Sequence, residues 1–276
     1  MDAVIQITGE RYVAFTESDS AANGGITEKE ADTQLRSIQS ELRELHDLMM
    51  AAETHALLII LQGMDAAGKD VTIENVLAEM NPQAFRVKGF KSPAGEEAKH
   101  HFLWRANAAL PMFGEAVVFD RSYYEQAIRP RVEGELPESD SDKRHEHIKA
   151  FERILDESGT IIVKIFLNIG KDVQEQRLEE RQNDIRSAWK ISGSDWEDRA
   201  QWDEFMQAYE TTLNACASPD LPWYLVPADH QWFHNVAVGQ ILLDRLGPFR
   251  QEWEAARRES GEQNQREAEA AHREAE

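Results

Sequence analysis

The sequence has 276 residues, a hydrophobic fraction of 41% and a formal net charge of -21 at pH 7. Such an acidic chain is a poor candidate for binding nucleic acid or an anionic membrane over its whole surface. No apolar run approaches the roughly 20 residues that span a bilayer, and the N-terminal segment lacks the basic start and apolar stretch of a signal peptide. Cys216 is the only cysteine, which excludes a disulfide framework. These features predict a cytoplasmic protein with no nucleic-acid or membrane partner.

The first part of the chain divides into an arm and a long helix. Residues 1–26 show no sustained periodicity and contain Ser, Asn and Gly, so we interpret them as a loosely ordered N-terminal arm. Thr27 followed by Glu30 matches a capping box, which predicts that a helix begins there. Apolar residues then recur at the spacing of an amphipathic helix: Leu35, Ile38, Leu42, Leu45 and Leu48.

Apolar runs and helical patterns alternate along the rest of the chain. Strands are predicted at about 56–61, 85–90, 116–119, 160–167 and 223–226. Helices are predicted at about 69–80, 94–110, 141–157, 171–184, 197–215 and 231–257. This alternation predicts an α/β fold in which a parallel sheet of about five strands is flanked by helices. The segment 251–276 is rich in Glu, Gln and Arg, so we expect a charged, exposed helical tail there.

A phosphate-binding loop is predicted between the first strand and the helix that follows it. The segment from Gly63 to Lys69 reads GMDAAGK and matches the pattern G-x-x-x-x-G-K. Glycines let the backbone wrap around phosphate oxygens, and the exposed N–H groups and helix dipole attract the anion. Lys69 adds a point charge on the transferring group; an ordinary glycine-containing turn is the alternative. The residues assigned to phosphate or nucleotide binding are Gly63, Met64, Ala66, Ala67, Gly68 and Asp70.

Carboxylates in and near this loop are candidate metal ligands. Asp70 stands where the usual Ser or Thr would contact Mg²⁺, and Asp65 lies where a carboxylate repels phosphate unless a cation lies between them. A helix cap is the alternative role for Asp65. Asp120 ends an apolar strand, as the Mg²⁺ ligand of P-loop proteins does, and Arg121 offers a planar fork for phosphate. We predict that Asp65 and Asp120 hold the metal and that Asp65, Lys69, Asp120 and Arg121 are catalytic.

Basic residues concentrate in two stretches of this acidic chain. The first contains Lys88, Lys91 and Arg105, and the second contains Arg177, Arg181 and Lys190. A linear polyanion is bound by such lines of cations, whereas ion pairs with the abundant Glu residues are the alternative interpretation. The aromatic residues Trp189, Trp196 and Trp202 either stack on a base or belong to the core.

Several longer motifs occur in order over roughly residues 35–245. They are LLIILQGMDAAGKD at 57–70, NP at 81–82, KGFKSP at 88–93, FLWR at 102–105, FDRSYYE at 119–125, WDEFMQAYE at 202–210 and PWYLVPAD at 222–229. Together they resemble the polyphosphate kinase 2 family. This collinearity is more specific than any single motif.

The resemblance implies a fold similar to that of thymidylate kinase, with a mobile helical lid at about 184–199 that includes Lys190 and Arg199. It implies transfer of a phosphoryl group between inorganic polyphosphate and AMP or ADP, in either direction, with Mg²⁺ as cofactor and Mn²⁺ as the alternative. It also implies adenine or guanine nucleotides as partners and assembly as a homodimer or homotetramer. On this basis residues 27–250 form the phosphotransferase domain, between the arm at 1–26 and the tail at 251–276.

Three positions depart from the family pattern. Many members have Lys where Glu74 stands, Asn where Asp120 stands and an acidic residue where His101 stands. These differences leave open whether AMP or ADP is the preferred acceptor. Two other functions also remain open at this point: an ATP-dependent nucleoside monophosphate kinase, and a P-loop nucleotide switch without transferase activity.

Overall fold

The computed structural model describes residues 2–275 and contains a six-stranded sheet. The strands are β1 (Ile5–Ile7), β2 (Ala56–Gln62), β3 (Phe85–Gly89), β4 (Ala116–Asp120), β5 (Thr160–Asn168) and β6 (Trp223–Pro227). Their order across the sheet is β1-β6-β5-β2-β4-β3, and every neighbouring pair is parallel except β1 and β6. The α/β class and the five predicted strands are therefore confirmed.

The central strands are apolar throughout because both faces of the sheet are covered. Every residue of β2, β5 and β6 is buried, as expected for a parallel sheet between two helical layers. The parallel register pairs Leu61 of β2 with Asp120 of β4. Carboxyl ends of neighbouring parallel strands meet at one edge of the sheet, so the segments that follow β2 and β4 lie side by side.

Helices surround the sheet. They are α1 (Glu28–Ala52), α2 (Lys69–Val76), α3 (Trp104–Asn107), α4 (Glu125–Val132), α5 (Glu138–Glu157), α6 (Lys171–Asn183), α7 (Gly193–Ala200), α8 (Trp202–Cys216), α9 (Gln231–Leu246) and α10 (Arg250–Ala275). Short 3₁₀ turns lie at Phe15–Glu17, Glu97–Lys99, Ala188–Lys190 and Gly247–Phe249. Within residues 2–275, no helix is both long enough and apolar enough to cross a bilayer.

Some predicted helices are wrong in extent. The helix expected over 94–110 is reduced to a 3₁₀ turn and the four-residue α3, because tertiary contacts override its helical propensity. In particular, Arg105 donates to the backbone oxygen of Lys91 and lies over the ring of Phe90. The helices expected over 197–215 and 231–257 are each divided in two, the second by a turn that contains Pro248. Helix α4 was not predicted.

The interpretation of residues 1–26 as loosely ordered is also wrong. Strand β1 adds an antiparallel edge to β6, and the side chains of Val13 and Phe15 are buried. The amide of Asn214 on α8 accepts a hydrogen bond from the Val13 N–H (2.8 Å) and donates one to the Val13 carbonyl (2.9 Å). A three-residue strand is too short to show a periodicity, so the sequence carried no signal for it.

Helix α1 begins where the capping box predicts. The Thr27 hydroxyl accepts the backbone N–H of Glu30, and the Glu30 carboxylate accepts the backbone N–H of Thr27 (2.8 Å).

At the other end of the domain, most of α10 is exposed, and Trp253 anchors its first turn. The buried indole of Trp253 donates to Nδ1 of His55 (3.2 Å).

Replacing Thr27 with Ala removes the acceptor at the start of α1. We expect the free energy of unfolding to fall by about 1 kcal/mol, seen as a lower urea midpoint at an unchanged slope. Thr33→Ala is the matched control, because the exposed Thr33 hydroxyl bonds only to the Lys29 carbonyl within the same helix. An equal loss in both variants would contradict the capping role.

Candidate active site

The predicted phosphate-binding loop joins β2 to α2 and has the backbone shape that such a loop requires. Gly63 and Gly68 have φ values of 146° and 112°, which L-residues rarely adopt. A Cβ atom at Gly63 would lie 2.9 Å from the Leu167 carbonyl oxygen, and one at Gly68 would lie 2.6 Å from the ring of His234. Both glycines are therefore needed for the conformation and for the space around it.

Lys69 begins α2 and turns back over the loop. Its side chain is 8% exposed, and its Nζ donates to the carbonyl oxygens of Gly63 (2.9 Å) and Met64 (3.1 Å). The ammonium thus rests on neutral oxygens of the loop itself. An ammonium has three donors, so one N–H is not used by these two bonds; that it meets a phosphate oxygen stays a prediction.

Asp120, at the end of β4, contributes a buried carboxylate to the same edge of the sheet. Its Oδ1 atom is buried without a hydrogen-bond partner. Burial raises the pKa of Asp120 above its ordinary value, and the nearby charge of Lys69 only partly opposes this effect. An orphaned buried carboxylate oxygen is costly, and a divalent cation is the type of group that would satisfy it.

Asp65 has a different environment, because its carboxylate forms an ion pair with Arg121. Burial raises the pKa of Asp65, but the charges of Arg121 and Lys69 outweigh burial and hold the pKa below its usual range. Arg121 itself has a left-handed backbone, with a φ of 58°. This conformation is uncommon for a residue other than glycine and often marks a functional site.

The donor set fits a cation that takes some of its ligands from a substrate. Among the described residues, no group of three or more His, Cys, Asp or Glu side chains is arranged to hold a metal. Mg²⁺ is commonly bound by one or two carboxylates together with water and substrate phosphates. Asp120 can supply one such carboxylate, and Asp65 can supply a second only by sharing it with Arg121.

These residues line a cleft of about 780 Å³ between the sheet edge and the segment 189–198. The predicted site residues that line it are Asp65, Ala66, Gly68, Lys69, Asp70, Lys91, Asp120, Arg121, Arg181 and Lys190. Lys190 reaches across the cleft and pairs with Asp70 (3.2 Å). The structure thus brings the loop, the end of β4 and part of the predicted lid together around one space.

Other predicted phosphate-binding arginines brace the backbone instead of lining the cleft. The guanidinium of Arg177 donates to the carbonyls of Ala66, Ala67, Ala228 and Asp229, and so ties the phosphate-binding loop to the segment after β6. Arg199 bonds to α6 through Gln174 and Glu175. Lys88, like Arg105, lies over the Phe90 ring, with its Nζ 5.8 Å from the ring centre. Sequence spacing cannot distinguish such braces from ligand contacts.

Several cleft residues were missed by the sequence analysis: Glu125, Gln126, Arg129 and Asp198. Arg129 on α4 forms an ion pair with Asp198 on α7 and lies over the ring of Phe205. Hydrogen bonding to Asp198 raises the pKa of Arg129. A usable signal existed, because Glu125 and Arg129 are four residues apart on one helix face directly after the FDRSYY motif.

The three tryptophans whose role the sequence left open lie in different environments. Trp202 is 7% exposed and belongs to the core, whereas Trp189 is 76% exposed and lines the cleft. Trp196 is partly buried, and its indole donates to Gln182 (3.1 Å). Trp189 is therefore the member of the three that lines the cleft, where the Nζ of Lys190 lies 5.5 Å from the centre of its ring.

A parallel sheet, a glycine-bounded anion loop and a buried carboxylate on the adjacent strand define a P-loop protein of the kinase type. The model of the polyphosphate kinase 2 family matches residues 25–252. The chain belongs to the polyphosphate kinase 2 family.

Individual relatives agree with this assignment. An AMP/ADP-polyphosphate phosphotransferase of Meiothermus ruber is 40% identical over 82% of this chain and 84% of its own length. An ADP-polyphosphate phosphotransferase of Rhodopseudomonas palustris is 39% identical over 77% of this chain and 78% of its own. The structure also matches the crystal structure of polyphosphate kinase 2 from Arthrobacter aurescens TC1. The match covers 86% of this chain and 86% of that one, with 37% identity and a TM-score of 0.83.

The histidine beneath the loop makes stability depend on pH. Burial lowers the pKa of His234 to about 3, so the unfolded chain takes up a proton below about pH 6.5 and the folded protein does not. Stability is therefore complete above that pH and is lost as the pH falls. This group alone should lower the free energy of unfolding by about 2 kcal/mol between pH 7 and pH 5.

Urea unfolding at pH 7 and pH 5 measures this effect. His234→Leu, of similar volume and without a titrating group, should remove this part of the pH dependence. The control is His147→Gln, which replaces an exposed histidine on α5; an equal change in both variants would contradict a specific role for His234. A His234→Leu variant with the full wild-type pH dependence would show that another group is responsible.

Proposed function

We propose that this chain transfers a phosphoryl group between inorganic polyphosphate and AMP or ADP with the help of Mg²⁺, for which Mn²⁺ is the alternative. The observation that carries the proposal is the meeting of Lys69 and the unpartnered oxygen of Asp120 at one edge of the sheet, in a chain of the polyphosphate kinase 2 family. Guanine nucleotides are included with adenine nucleotides, because the family resemblance implies either base.

In the proposed reaction, an oxygen of the acceptor's terminal phosphate attacks the terminal phosphorus of polyphosphate. A new P–O bond forms, the bridging P–O bond of polyphosphate breaks, and its electron pair leaves with the shortened chain. The protein need only position the partners and balance their charge. The backbone N–H groups of 63–69 and the Nζ of Lys69 hold the transferring group, while Arg121 faces its equatorial oxygens. Because one phosphoanhydride bond is broken and another is formed, the reaction can run in both directions.

When bound, Mg²⁺ would neutralise phosphate oxygens, and Asp120 would hold it with Asp65 as the second predicted ligand. The family resemblance supports a divalent cation. Asp120 fits this role because its Oδ1 atom is buried without a partner and because burial disfavours its charged form until a cation compensates.

The cations around the cleft explain how a chain with a net charge of -21 can accept a polyanion. Lys91, Arg181 and Lys190 line the same cleft as Lys69 and Arg121 and, with Arg129, equal the six carboxylates of the lining in number. The cleft therefore repels a polyanion less than the acidic chain as a whole does. Lys190 belongs to the proposed lid at about 184–199, and its ion pair with Asp70 spans the cleft. We propose that incoming phosphates replace Asp70 as the partner of Lys190 when the lid closes and excludes water.

Assembly as a homodimer or homotetramer remains part of the proposal. A separate, mostly apolar groove of about 700 Å³ lies along α5 and includes Phe102, Phe151 and Ile154. Ile154 is 60% exposed. An exposed apolar groove of this kind is a candidate contact between subunits.

The direct test combines purified protein, Mg²⁺ and long-chain polyphosphate with AMP or ADP and follows the nucleotide products. We expect ADP or ATP to appear, and Lys69→Ala to lower kcat/KM by about 100- to 1000-fold because the transition state loses a buried charge. Lys29→Ala is the control, since Lys29 is exposed on α1 and does not line the cleft. Absence of product with both acceptors, together with ATP-driven phosphorylation of AMP, would favour a nucleoside monophosphate kinase instead.

Trp189 is the proposed stacking surface for the base. Removal of the indole by Trp189→Ala should raise the KM for the nucleotide about tenfold with a smaller change in kcat, because a base stacked on an aromatic ring contributes about 1–3 kcal/mol. Trp189→Phe should restore most of the affinity. Trp196→Ala, which removes an indole that does not line the cleft, is the control; equal effects of the two Ala variants would exclude a specific role for Trp189.

A further inference from the structure

A buried group of polar side chains lies behind the cleft and is not used by the proposed reaction. Lys164, in the middle of β5, is 0% exposed, and its Nζ forms an ion pair with Glu152 of α5, which is 1% exposed (2.8 Å). The same Nζ donates to the carbonyl oxygen of Cys216 (3.1 Å). Neither side chain lines the cleft.

Glu152 also receives two tyrosine hydroxyls. The hydroxyls of Tyr123 and Tyr124 both donate to its Oε1 atom, at 2.8 Å and 2.7 Å, while Lys164 binds Oε2. Both tyrosine side chains are fully buried. We call these four residues, Tyr123, Tyr124, Glu152 and Lys164, the Glu152 hub.

The two tyrosines of the hub follow the predicted catalytic residues Asp120 and Arg121 with only Ser122 between them. A left-handed non-glycine residue such as Arg121 persists only where its surroundings determine the backbone on both sides. On the N-terminal side, the Arg121 N–H donates to the Leu61 carbonyl (3.0 Å). On the C-terminal side, the chain is held by the hub, because each of the next two aromatic side chains is tied to Glu152.

The energetic character of the hub supports a role beyond stability. Removing a lysine and a glutamate from water is costly, and well-packed apolar residues of the same volume often stabilise a core equally well or better. Two adjacent tyrosines could likewise be replaced by phenylalanines without loss of apolar area. The charged and hydroxyl groups instead add directional hydrogen bonds. Because these bonds converge on one carboxylate, they restrict the position of the segment that contains Tyr123 and Tyr124.

We propose that the Glu152 hub is a positioning element that aims the Arg121 guanidinium at the transferring phosphate. The hub touches no substrate and acts only through the backbone of 120–124. This inference rests on the proposed function, since it assigns to Arg121 the equatorial phosphate oxygens as its target. It predicts that loss of the hub reduces the contribution of Arg121 and leaves the rest of the cleft intact.

The test uses the double variant Tyr123→Phe/Tyr124→Phe, which removes both hydroxyls and keeps the Glu152–Lys164 ion pair. We expect kcat to fall at least about tenfold, because small errors of placement are costly in a preorganised site, while the KM for the nucleotide stays within about twofold. The matched control is Thr212→Val. It removes a different buried hydrogen bond of α5, which joins His145 to Thr212 of α8. It should lower Tm with kcat unchanged.

A double-mutant cycle distinguishes positioning from a general loss of stability. When Arg121 is already Ala, the two Tyr→Phe changes should alter kcat by less than about twofold, because their effect passes through Arg121. A full tenfold loss in the Arg121→Ala background, or an unchanged kcat in the wild-type background, would overturn the proposal. An equal loss of kcat in Thr212→Val at a similar fall in Tm would also overturn it, because kcat would then simply follow stability.

The same double-mutant cycle can be measured by ligand binding instead of enzymatic turnover. The affinity for tripolyphosphate, measured by titration calorimetry, should fall in Tyr123→Phe/Tyr124→Phe and should show the same non-additivity with Arg121→Ala. If the wild-type protein transfers no phosphoryl group, the proposed function fails, and the hub is judged on this binding cycle alone. Additive losses of affinity would then refute the hub.

Discussion

The structure depends on the register of β2 and β4. Because these strands are parallel neighbours with Leu61 opposite Asp120, the loop after β2 and the carboxylate at the end of β4 must lie side by side. The glycine-bounded loop then places its N–H groups and Lys69 near Asp120 and Arg121. Shifting β4 by one residue would turn Asp120 to the opposite face of the sheet. The chemistry of the cleft therefore follows from backbone pairing several residues away.

Charge in the cleft is balanced locally within a strongly acidic chain. Asp65 is held ionised by Arg121 and Lys69, whereas Asp120 has a raised pKa and an oxygen without a partner. Two nearby carboxylates thus have opposite environments. The protein already compensates the charge of Asp65, whereas Asp120 has a buried oxygen without a protein partner. This difference favours Asp120 over Asp65 as the proposed metal ligand more clearly than the spacing of the residues can.

Arginine has two distinct uses around the cleft. Arg177 and Arg199 donate to backbone and side-chain oxygens and hold the phosphate-binding loop and α6 in place. Arg181 and Arg121 line the cleft, where phosphate can reach them. A guanidinium with five fixed donors suits both tasks. The Glu152 hub extends the same logic inward, since its buried charges fix the backbone from which Arg121 projects.

The sequence by itself determined the α/β class, the five parallel strands, the start of α1 at Thr27 and the phosphate-binding loop, because each depends on local spacing and residue type. It did not determine β1, the division of the lid-side helices, or which cations face the cleft. Lys190 and Arg199 look alike in the sequence, yet Lys190 spans the cleft and Arg199 is bound to α6. Only tertiary structure decides such cases, because a side chain takes its partner from whatever the fold places within hydrogen-bond distance.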